Sequence, residues 1–201
     1  MYFNSQLTTH NSQLTMLETI DIFDKNLVVA VNQWHNPTLD FIMRWTTDTK
    51  IWIPFYAFLI GLLVWKLGWK QALIVILGVV LVIVISDQIT SSFMKPFFAR
   101  LRPCHVETLR LSLPDGCGGK YGFASSHAAN TFGLATIFHF SLKKHLPSII
   151  WLFFWAAFVS FSRIYLGAHY LTDILAGASV GIGAGVLVYA IMKYLLRMMK
   201  F

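Results

Sequence analysis

Three short clusters of polar side chains interrupt the long apolar runs of this chain, and their residue types suit the transfer of a phosphoryl group. In chain order the clusters are Lys95 with Arg102 and Pro103; Ser125, Ser126 and His127; and Ser162, Arg163, His169 and Asp173. Lysine and arginine bind phosphate oxygens, and histidine supplies a nucleophile or a proton donor. Because each cluster stands at the end of an apolar run, we expect all three to meet at one membrane face.

The spacing within two clusters is that of side chains sharing one helix face. Arg102 follows Lys95 by seven positions, about 20° short of two full turns, so both cations point the same way if the segment is helical. His169 and Asp173 are four positions apart and are neighbours on a helix. At that spacing the carboxylate can accept the imidazole N–H and fix its tautomer.

These clusters resemble the three motifs of the type-2 phosphatidic acid phosphatase superfamily, also called lipid phosphate phosphatases. The family's first motif, lysine followed after six residues by Arg-Pro, matches from Lys95 to Pro103, and the third matches in full from Ser162 to Asp173. The second motif is Pro-Ser-Gly-His, and residues 124–127 read Ala-Ser-Ser-His instead. The departure affects the backbone geometry at the second motif and leaves its histidine in place.

The resemblance, which covers roughly residues 50–195, implies a covalent mechanism. His169 would take the phosphoryl group as a phosphohistidine, and Asp173 would hold its other ring nitrogen. His127 would protonate the departing oxygen and later activate water. No metal or other cofactor is implied, and the sequence lacks the clustered carboxylates that bind magnesium.

Five further residues are predicted to bind the phosphate. Arg102 and Arg163 offer planar guanidinium groups that match phosphate oxygens two at a time, and Lys95 adds a compact charge. Ser125 and the backbone amide of Ser126 would complete the cradle around the oxyanion.

Each residue also has a simpler interpretation. Lys95 or Arg102 alone would more often be an interfacial anchor at the end of a span. His127 and His169 could be hydrogen-bonded bundle residues, and Asp173 could cap the last helix or sit in its first turn. The joint occurrence of these residues at the family's spacing favours the functional interpretation.

One acid lies inside a predicted span. Asp87 precedes Lys95 by two turns, and an ionisable group in a membrane segment is a candidate functional residue. A structural hydrogen bond to Ser91 or to a neighbouring helix is an equal alternative.

The composition predicts an all-α integral membrane protein. Apolar residues make up 56% of the 201 residues, and the mean hydropathy is +0.61. Several runs approach the ~20 residues that cross a bilayer core. Five spans are predicted, at about 51–68, 71–94, 127–143, 147–162 and 172–195.

The predicted domain organisation is one membrane domain with a short extension. Residues 1–15 carry a polar duplication, Asn-Ser-Gln-Leu-Thr at 4–8 and again at 11–15, and are predicted to be disordered. The membrane domain is predicted over 16–201. Within it, residues 16–47 form amphipathic interfacial helices, and residues 48–201 form the transmembrane bundle, with active-site loops at 95–126 and 162–173.

The charge distribution argues against nucleic acid as a partner. The formal charge is +7, yet the cations lie in membrane-flanking turns and in the three clusters. The protein is predicted to lie in the cytoplasmic membrane. The short loops opposite the three clusters carry an excess of Lys and Arg, which predicts that the clusters face away from the cytoplasm. The alternative is an inverted topology with a cytoplasmic site.

The chain has two cysteines, Cys104 and Cys117, and both fall in the loop after the first cluster. On the non-cytoplasmic side they could form a disulfide. The alternative is two small residues that flank a glycine turn by chance.

Together these observations predict a membrane enzyme that hydrolyses a lipid phosphate or diphosphate at the outer edge of the cytoplasmic membrane. The resemblance favours undecaprenyl diphosphate in a bacterium, followed by lipid A, phosphatidylglycerol phosphate and phosphatidic acid. The rival class is a non-enzymatic transporter or binder of anionic lipids. Such a protein would need the cations, but it would not need a histidine with a carboxylate four residues later.

Overall fold

The structure, a computed structural model, describes residues 2–198 and the side chains of residues 15–198. Eight α-helices lie within this range: α1 (Tyr2–Asn32), α2 (Pro37–Thr47), α3 (Ile53–Leu67), α4 (Trp69–Asp87), α5 (Lys95–Phe98), α6 (Ser126–Leu142), α7 (Trp151–Tyr165) and α8 (Leu171–Met198). A π-helical turn, Gln88–Met94, joins α4 to α5. The predicted all-α membrane fold is confirmed.

Helices α1 and α2 occupy the segment predicted to lie at the interface. The backbone of α1 is helical from Tyr2, where the sequence predicted disorder over residues 1–15. That segment is polar but contains no glycine or proline that would stop a helix from extending upstream. The two helices are separated at Asn36, whose side chain accepts a 3.0 Å hydrogen bond from the backbone N–H of Leu39. Pro37 then occupies the first turn of α2, where it costs no hydrogen bond.

Four helical segments of the described chain are long and apolar enough to cross a membrane: Thr49–Leu67, Trp69–Phe98, Pro147–Tyr165 and Leu171–Met198. The sequence predicted five spans, and the predicted span at 127–143 corresponds to α6, which has only 17 residues. Helix α6 lies in the middle of the bundle, against α4, α7 and α8. Because these helices cover it, α6 can be short and can carry polar residues such as Thr131 and Thr136.

Glycines hold α6 and α8 side by side. Gly177, Gly181 and Gly185 of α8 lie directly against Ser125, Ala129 and Thr136. A Cβ at Gly177 or Gly181 would collide with a backbone carbonyl of the facing segment. Small residues at such spacing let membrane helices approach closely. The contacts advance in the same direction along both helices, so α6 and α8 are parallel and their amino termini lie together.

The buried apolar residues form two groups. One lies between α3, α4, α6, α7 and α8, and the other lies between α1, α2, α7 and the start of α8. The second group joins Val28 and Val31 of α1 to Ile164, Tyr165 and Ile174. Helix α1 is thereby packed beside the ends of α7 and α8, where the third motif lies.

Candidate active site

The third motif forms a tight turn between α7 and α8. Gly167 has a left-handed φ of 67°, a conformation that glycine adopts without strain. The carbonyl oxygen of Arg163 accepts hydrogen bonds from the backbone N–H groups of Ala168, at 2.9 Å, and His169, at 3.2 Å. The turn therefore fixes the backbone of His169, two residues after the glycine.

His169 and Asp173 are paired as their spacing predicts. Nδ1 of His169 lies 3.4 Å from Oδ2 of Asp173, and the same oxygen accepts a 3.0 Å bond from the backbone N–H of Tyr170. The two side chains are 1% and 0% exposed. Burial lowers the pKa of His169 to about 4, although Asp173 opposes the shift. A neutral imidazole with Nδ1 held in this way leaves Nε2 as its nucleophilic atom.

Arg100 completes the support of this pair, and sequence reasoning gave it no role. Its Nη1 donates to Oδ1 of Asp173 at 2.9 Å, and its Nη2 donates to Oδ2 of Asp24 in α1 at 2.9 Å. Burial disfavours the charged guanidinium, but the two carboxylates outweigh it and raise the pKa of Arg100. Its guanidinium carbon also lies 4.1 Å from the ring centre of Tyr170.

Asp24 is a second residue that the sequence analysis did not single out. Its carboxylate is 0% exposed. It accepts hydrogen bonds from the backbone N–H and the hydroxyl of Thr172, which lies in the first turn of α8. Negative charge at a helix amino terminus is favourable. Its only sequence signal is an acid one turn after Asp21 in a helix with an apolar face.

Lys95 is held by the residue that departs from the family pattern. Its Nζ donates to Oγ of Ser126 at 2.8 Å and to Oγ of Ser91 at 3.2 Å. Oγ of Ser126 also lies 2.9 Å from the hydroxyl of Thr90 and 2.8 Å from that of Ser91. The π-helical turn therefore supplies the hydroxyls of Thr90 and Ser91, α6 supplies that of Ser126, and the linked group positions the lysine.

The predicted phosphate cradle at the second motif differs in detail. Oγ of Ser125 accepts a 3.4 Å bond from the backbone N–H of Ala128, so this side chain caps α6. The backbone N–H of Ser125 donates to the carbonyl oxygen of Asp173 at 2.9 Å. These bonds leave Ser125 fully buried. The hydroxyl that is predicted to contact phosphate therefore also caps α6, and this bond leaves its O–H unused.

Arg102 reaches the site by a different route from the one predicted. Helix α5 ends at Phe98, and Ala99 has a left-handed φ of 46°, so Lys95 and Arg102 do not share one helix. Instead, the Arg102 N–H donates to the carbonyl oxygen of Lys120 at 3.1 Å. Arg102 therefore belongs to the loop that follows α5 and not to the helix.

Gly122 allows Arg102 to pack beside the histidine pair. A Cβ at this position would lie 2.9 Å from Oδ2 of Asp173, 3.2 Å from Cγ of Arg102 and 3.5 Å from Nδ1 of His169. The absence of a side chain is therefore required for these groups to converge. Sequence reasoning missed this residue, which comes after the loop glycines and has no motif of its own.

Arg163 and His127 complete the candidate active site. Nη1 of Arg163 donates to Oγ1 of Thr47 at 2.6 Å, which links the third motif to the end of α2. His127, in the first turn of α6, lies within electrostatic range of Arg163, His169, Lys95 and Arg102. The structure thus brings all three motifs together at one end of the bundle.

Cys104 and Cys117 are joined by a disulfide with Cα atoms 5.7 Å apart. Beside the disulfide, Nε2 of His105 lies 3.0 Å from the carbonyl oxygen of Gly118, the residue after Cys117. These links hold the backbone that carries Arg102. Cys104, His105 and Cys117 lie close enough together to resemble a metal-binding cluster. Both sulfur atoms, however, are used in this disulfide.

Asp87 has the hydrogen bond that the sequence analysis considered. Oγ of Ser91 donates to its Oδ1 at 3.0 Å. The carboxylate also lies on a cavity wall together with Ser126 and His127. Asp87 therefore connects indirectly to Lys95 through the serine hydroxyls.

Two cavities adjoin the site. An apolar groove of about 490 Å³ runs from Ser126 and His127 past Leu134 to Phe138, between α3, α4, α6 and α7. A polar cleft of about 1050 Å³ lies between α2 and the loop around Asp115. Thr47 lines both cavities.

This arrangement is suited to phosphoryl transfer. A buried imidazole lies below a group of cations, and a second histidine stands at the end of an apolar groove. Such a site can bind a phosphate whose ester group belongs to a lipid.

Comparison with known proteins agrees with this geometry. The sequence model of the PAP2 superfamily matches residues 71–197. The chain is 37% identical to a lipid A 4'-phosphatase of Bacteroides thetaiotaomicron, covering 88% of this chain and 80% of that protein. It is 34% identical to a lipid A 4'-phosphatase of Porphyromonas gingivalis, covering 89% and 76%.

A solved structure shares the fold. The transmembrane PAP2-type phosphatidylglycerolphosphate phosphatase of Bacillus subtilis superposes with a TM-score of 0.68, at 21% identity, over 88% of this chain and 87% of that one. The chain therefore belongs to the PAP2 superfamily. Within that superfamily it is a multi-pass membrane lipid phosphatase.

Proposed function

We propose that this enzyme removes a phosphate from the sugar headgroup of a lipid A-type glycolipid through a phosphohistidine at His169. The reaction rests on the buried His169–Asp173 pair with Nδ1 held and Nε2 free. The choice of substrate rests on the similarity to two lipid A 4'-phosphatases over almost nine-tenths of the chain.

In the first step, Nε2 of His169 attacks phosphorus and the bond to the lipid oxygen breaks. His127 gives its proton to that oxygen, so the lipid leaves as an alcohol. Asp173 stabilises the positive charge on the phosphorylated imidazole. Lys95, Arg102 and Arg163 balance the charge on the phosphoryl oxygens.

In the second step, His127 takes a proton from water, and the resulting hydroxide attacks the phosphohistidine. The nitrogen–phosphorus bond breaks, inorganic phosphate leaves, and His169 returns to its neutral form. Every proton in this cycle is carried by a histidine or by water, so we propose that no metal takes part.

Undecaprenyl diphosphate is the second candidate substrate. The apolar groove that starts at His127 is compatible with a prenyl chain as well as with an acyl chain. The two substrates differ in the group on the far side of the phosphate, which is a sugar in one and a second phosphate in the other.

We further propose that the site faces away from the cytoplasm, in the cytoplasmic membrane. The supporting cations lie at the helix ends opposite the site: Lys66, Lys70, Lys143, Lys144, Lys193 and Arg197. Short loops rich in such residues stay in the cytoplasm. A disulfide on the site side fits an oxidising compartment.

The experiment is phosphate release by the purified protein in detergent with excess chelator, across a panel of substrates. The panel contains lipid A, undecaprenyl diphosphate, phosphatidylglycerol phosphate and phosphatidic acid. We expect lipid A to give the highest kcat/KM and the chelator to have no effect. Preference for another lipid would overturn the proposed substrate. A loss of activity in chelator that magnesium restores would overturn the proposed mechanism.

A further inference from the structure

The polar cleft is the larger of the two cavities beside the site, and the reaction as described leaves it unused. One wall is α2, with Phe41, Arg44 and Trp45, and the other is the disulfide-closed loop at Asp115. Arg163 lines the cleft as well. The cleft thus begins at a phosphate-binding residue and opens away from the apolar groove.

The position of Thr47 fixes the relation between the two cavities. Thr47 lines both and holds Nη1 of Arg163 at 2.6 Å. A phosphate bound at Arg163 therefore lies where the groove and the cleft meet. An amphiphile with its phosphate at this junction can place its apolar chains on one side and its polar group on the other.

The side chains of the cleft combine aromatic faces with charged hydrogen-bonding groups. The rings of Phe41 and Trp45 have centres 5.1 Å apart and are 58% and 52% exposed. Nε of Arg44 and Oδ1 of Asp115 form an ion pair at 3.8 Å, and the two side chains are 53% and 45% exposed. Because both are about half exposed and the pair is longer than a hydrogen bond, each group can also bond to a ligand.

Sugar rings are recognised by this combination. A pyranose presents C–H faces that pack on aromatic rings, and its edge carries hydroxyl groups that bond to carboxylates and guanidinium groups. Aromatic side chains with an apolar face suit such half-wet surfaces. Asp40 does not take part, because His35 and the hydroxyl of Tyr165 already hold its carboxylate.

We propose that the polar cleft is a subsite for a saccharide headgroup, which packs on Trp45 and Phe41 and bonds to Asp115 and Arg44. This inference rests on the proposed phosphatase function and adds the element that selects a sugar phosphate over a glycerol phosphate. Phosphatidic acid, which has no sugar, leaves the cleft empty.

The test compares kcat/KM for lipid A with kcat/KM for phosphatidic acid in Trp45→Ala and Trp45→Phe. Trp65→Ala is the matched control, because Trp65 is also exposed but lies near the other end of α3. We expect the lipid A to phosphatidic acid ratio to fall roughly tenfold in Trp45→Ala, as for loss of one aromatic contact. Trp45→Phe should restore most of the ratio, and Trp65→Ala should leave it at the wild-type value.

A second variant and a binding measurement guard against misfolding. Asp115→Asn keeps the shape of the side chain, and we expect it to lower the same ratio. The fluorescence of Trp45 should also respond to a deacylated, water-soluble glucosamine disaccharide phosphate, and this response should vanish in Trp45→Ala.

Three outcomes would overturn the subsite. The first is an equal loss for both substrates, which makes Trp45 a membrane anchor or a folding residue. The second is an unchanged ratio in Trp45→Ala, which would overturn the subsite alone. The third is a wild-type enzyme that hydrolyses phosphatidic acid but no lipid A, which would overturn the proposed substrate too.

Discussion

The guanidinium of Arg100 donates a 2.9 Å hydrogen bond to Oδ1 of Asp173, whose other carboxylate oxygen faces His169. The same guanidinium bonds to the buried Asp24 of α1. The amino-terminal helix is therefore tied to the histidine pair through one side chain. Arg100 acts as a positioning residue, since it reaches His169 only through Asp173.

Replacing Arg100 should disturb both stability and the pH profile. Arg100→Gln leaves two buried carboxylates without their cation, which costs about 3 kcal/mol. Without Arg100, Asp173 would stabilise a protonated His169 more strongly. We expect the acid limb of kcat/KM to move to higher pH, together with a lower melting temperature. Arg110→Gln, an exposed arginine on the same loop, is the control. An unshifted acid limb would contradict the positioning role.

Gly122 should be intolerant of a side chain for a local reason. A Cβ in Gly122→Ala would stand 2.9 Å from Oδ2 of Asp173 and 3.2 Å from Cγ of Arg102, so one of them must move. We expect kcat to fall at least roughly tenfold, since small displacements of reacting groups are costly. Gly119→Ala has open space around the new Cβ and should keep wild-type turnover. Equal kcat values for the two variants would show that the close approach is unimportant.

The Ser126 hydroxyl should matter through Lys95. Ser126→Ala removes the 2.8 Å bond to Nζ, and we expect KM to rise roughly tenfold, as for loss of a hydrogen bond to a charged group. In a Lys95→Ala background the same substitution should change KM little, because its partner is already gone. Steady-state kinetics of the double-mutant cycle test this prediction. Additive effects would mean that the two side chains act separately.

The buried His169 gives a pH prediction with a definite sign. Its pKa in the folded state, about 4, lies below the value of 6.5 for an exposed histidine. Between these values the folded protein binds fewer protons than the unfolded chain. The stability that this group contributes is full above about pH 6.5 and falls as the pH drops toward 4.

Activity should follow the same titration. His169 stays neutral and nucleophilic in mildly acidic solution, so the acid limb of kcat/KM should have its midpoint well below pH 6.5. His127 and His169 lie at one phosphate site, so the apparent pKa values of the profile belong to the coupled pair. A profile of kcat/KM against pH gives the measurement. An acid midpoint at or above 6.5 would mean that His169 is not the buried base.

The sequence was most informative where the relevant contact is local. The spacing of His169 and Asp173 predicts their pairing, since side chains four apart meet at the start of a helix. The same argument failed for Lys95 and Arg102. A left-handed Ala99 ends α5 between them, and nothing in the local pattern shows that break.

Contacts between distant segments could not be predicted from one sequence. The bonds from Arg100 to Asp24 and from Arg163 to Thr47 join residues that are 76 and 116 positions apart. They depend on how α1 and α2 fold back over the bundle. Helix α6 was predicted as a span, but hydropathy alone could not show that α4, α7 and α8 enclose it in place of lipid.

The most direct test of the mechanism is to trap the phosphorylated enzyme. A lipid substrate labelled at its phosphorus is mixed with the protein and quenched in base, where phosphohistidine survives, and the labelled peptide is then mapped. We expect acid-labile label on the peptide that contains His169, and His169→Ala should show neither label nor phosphate release. Near-normal phosphate release by His169→Ala, or label on a different residue, would contradict the assignment of His169 as the nucleophile.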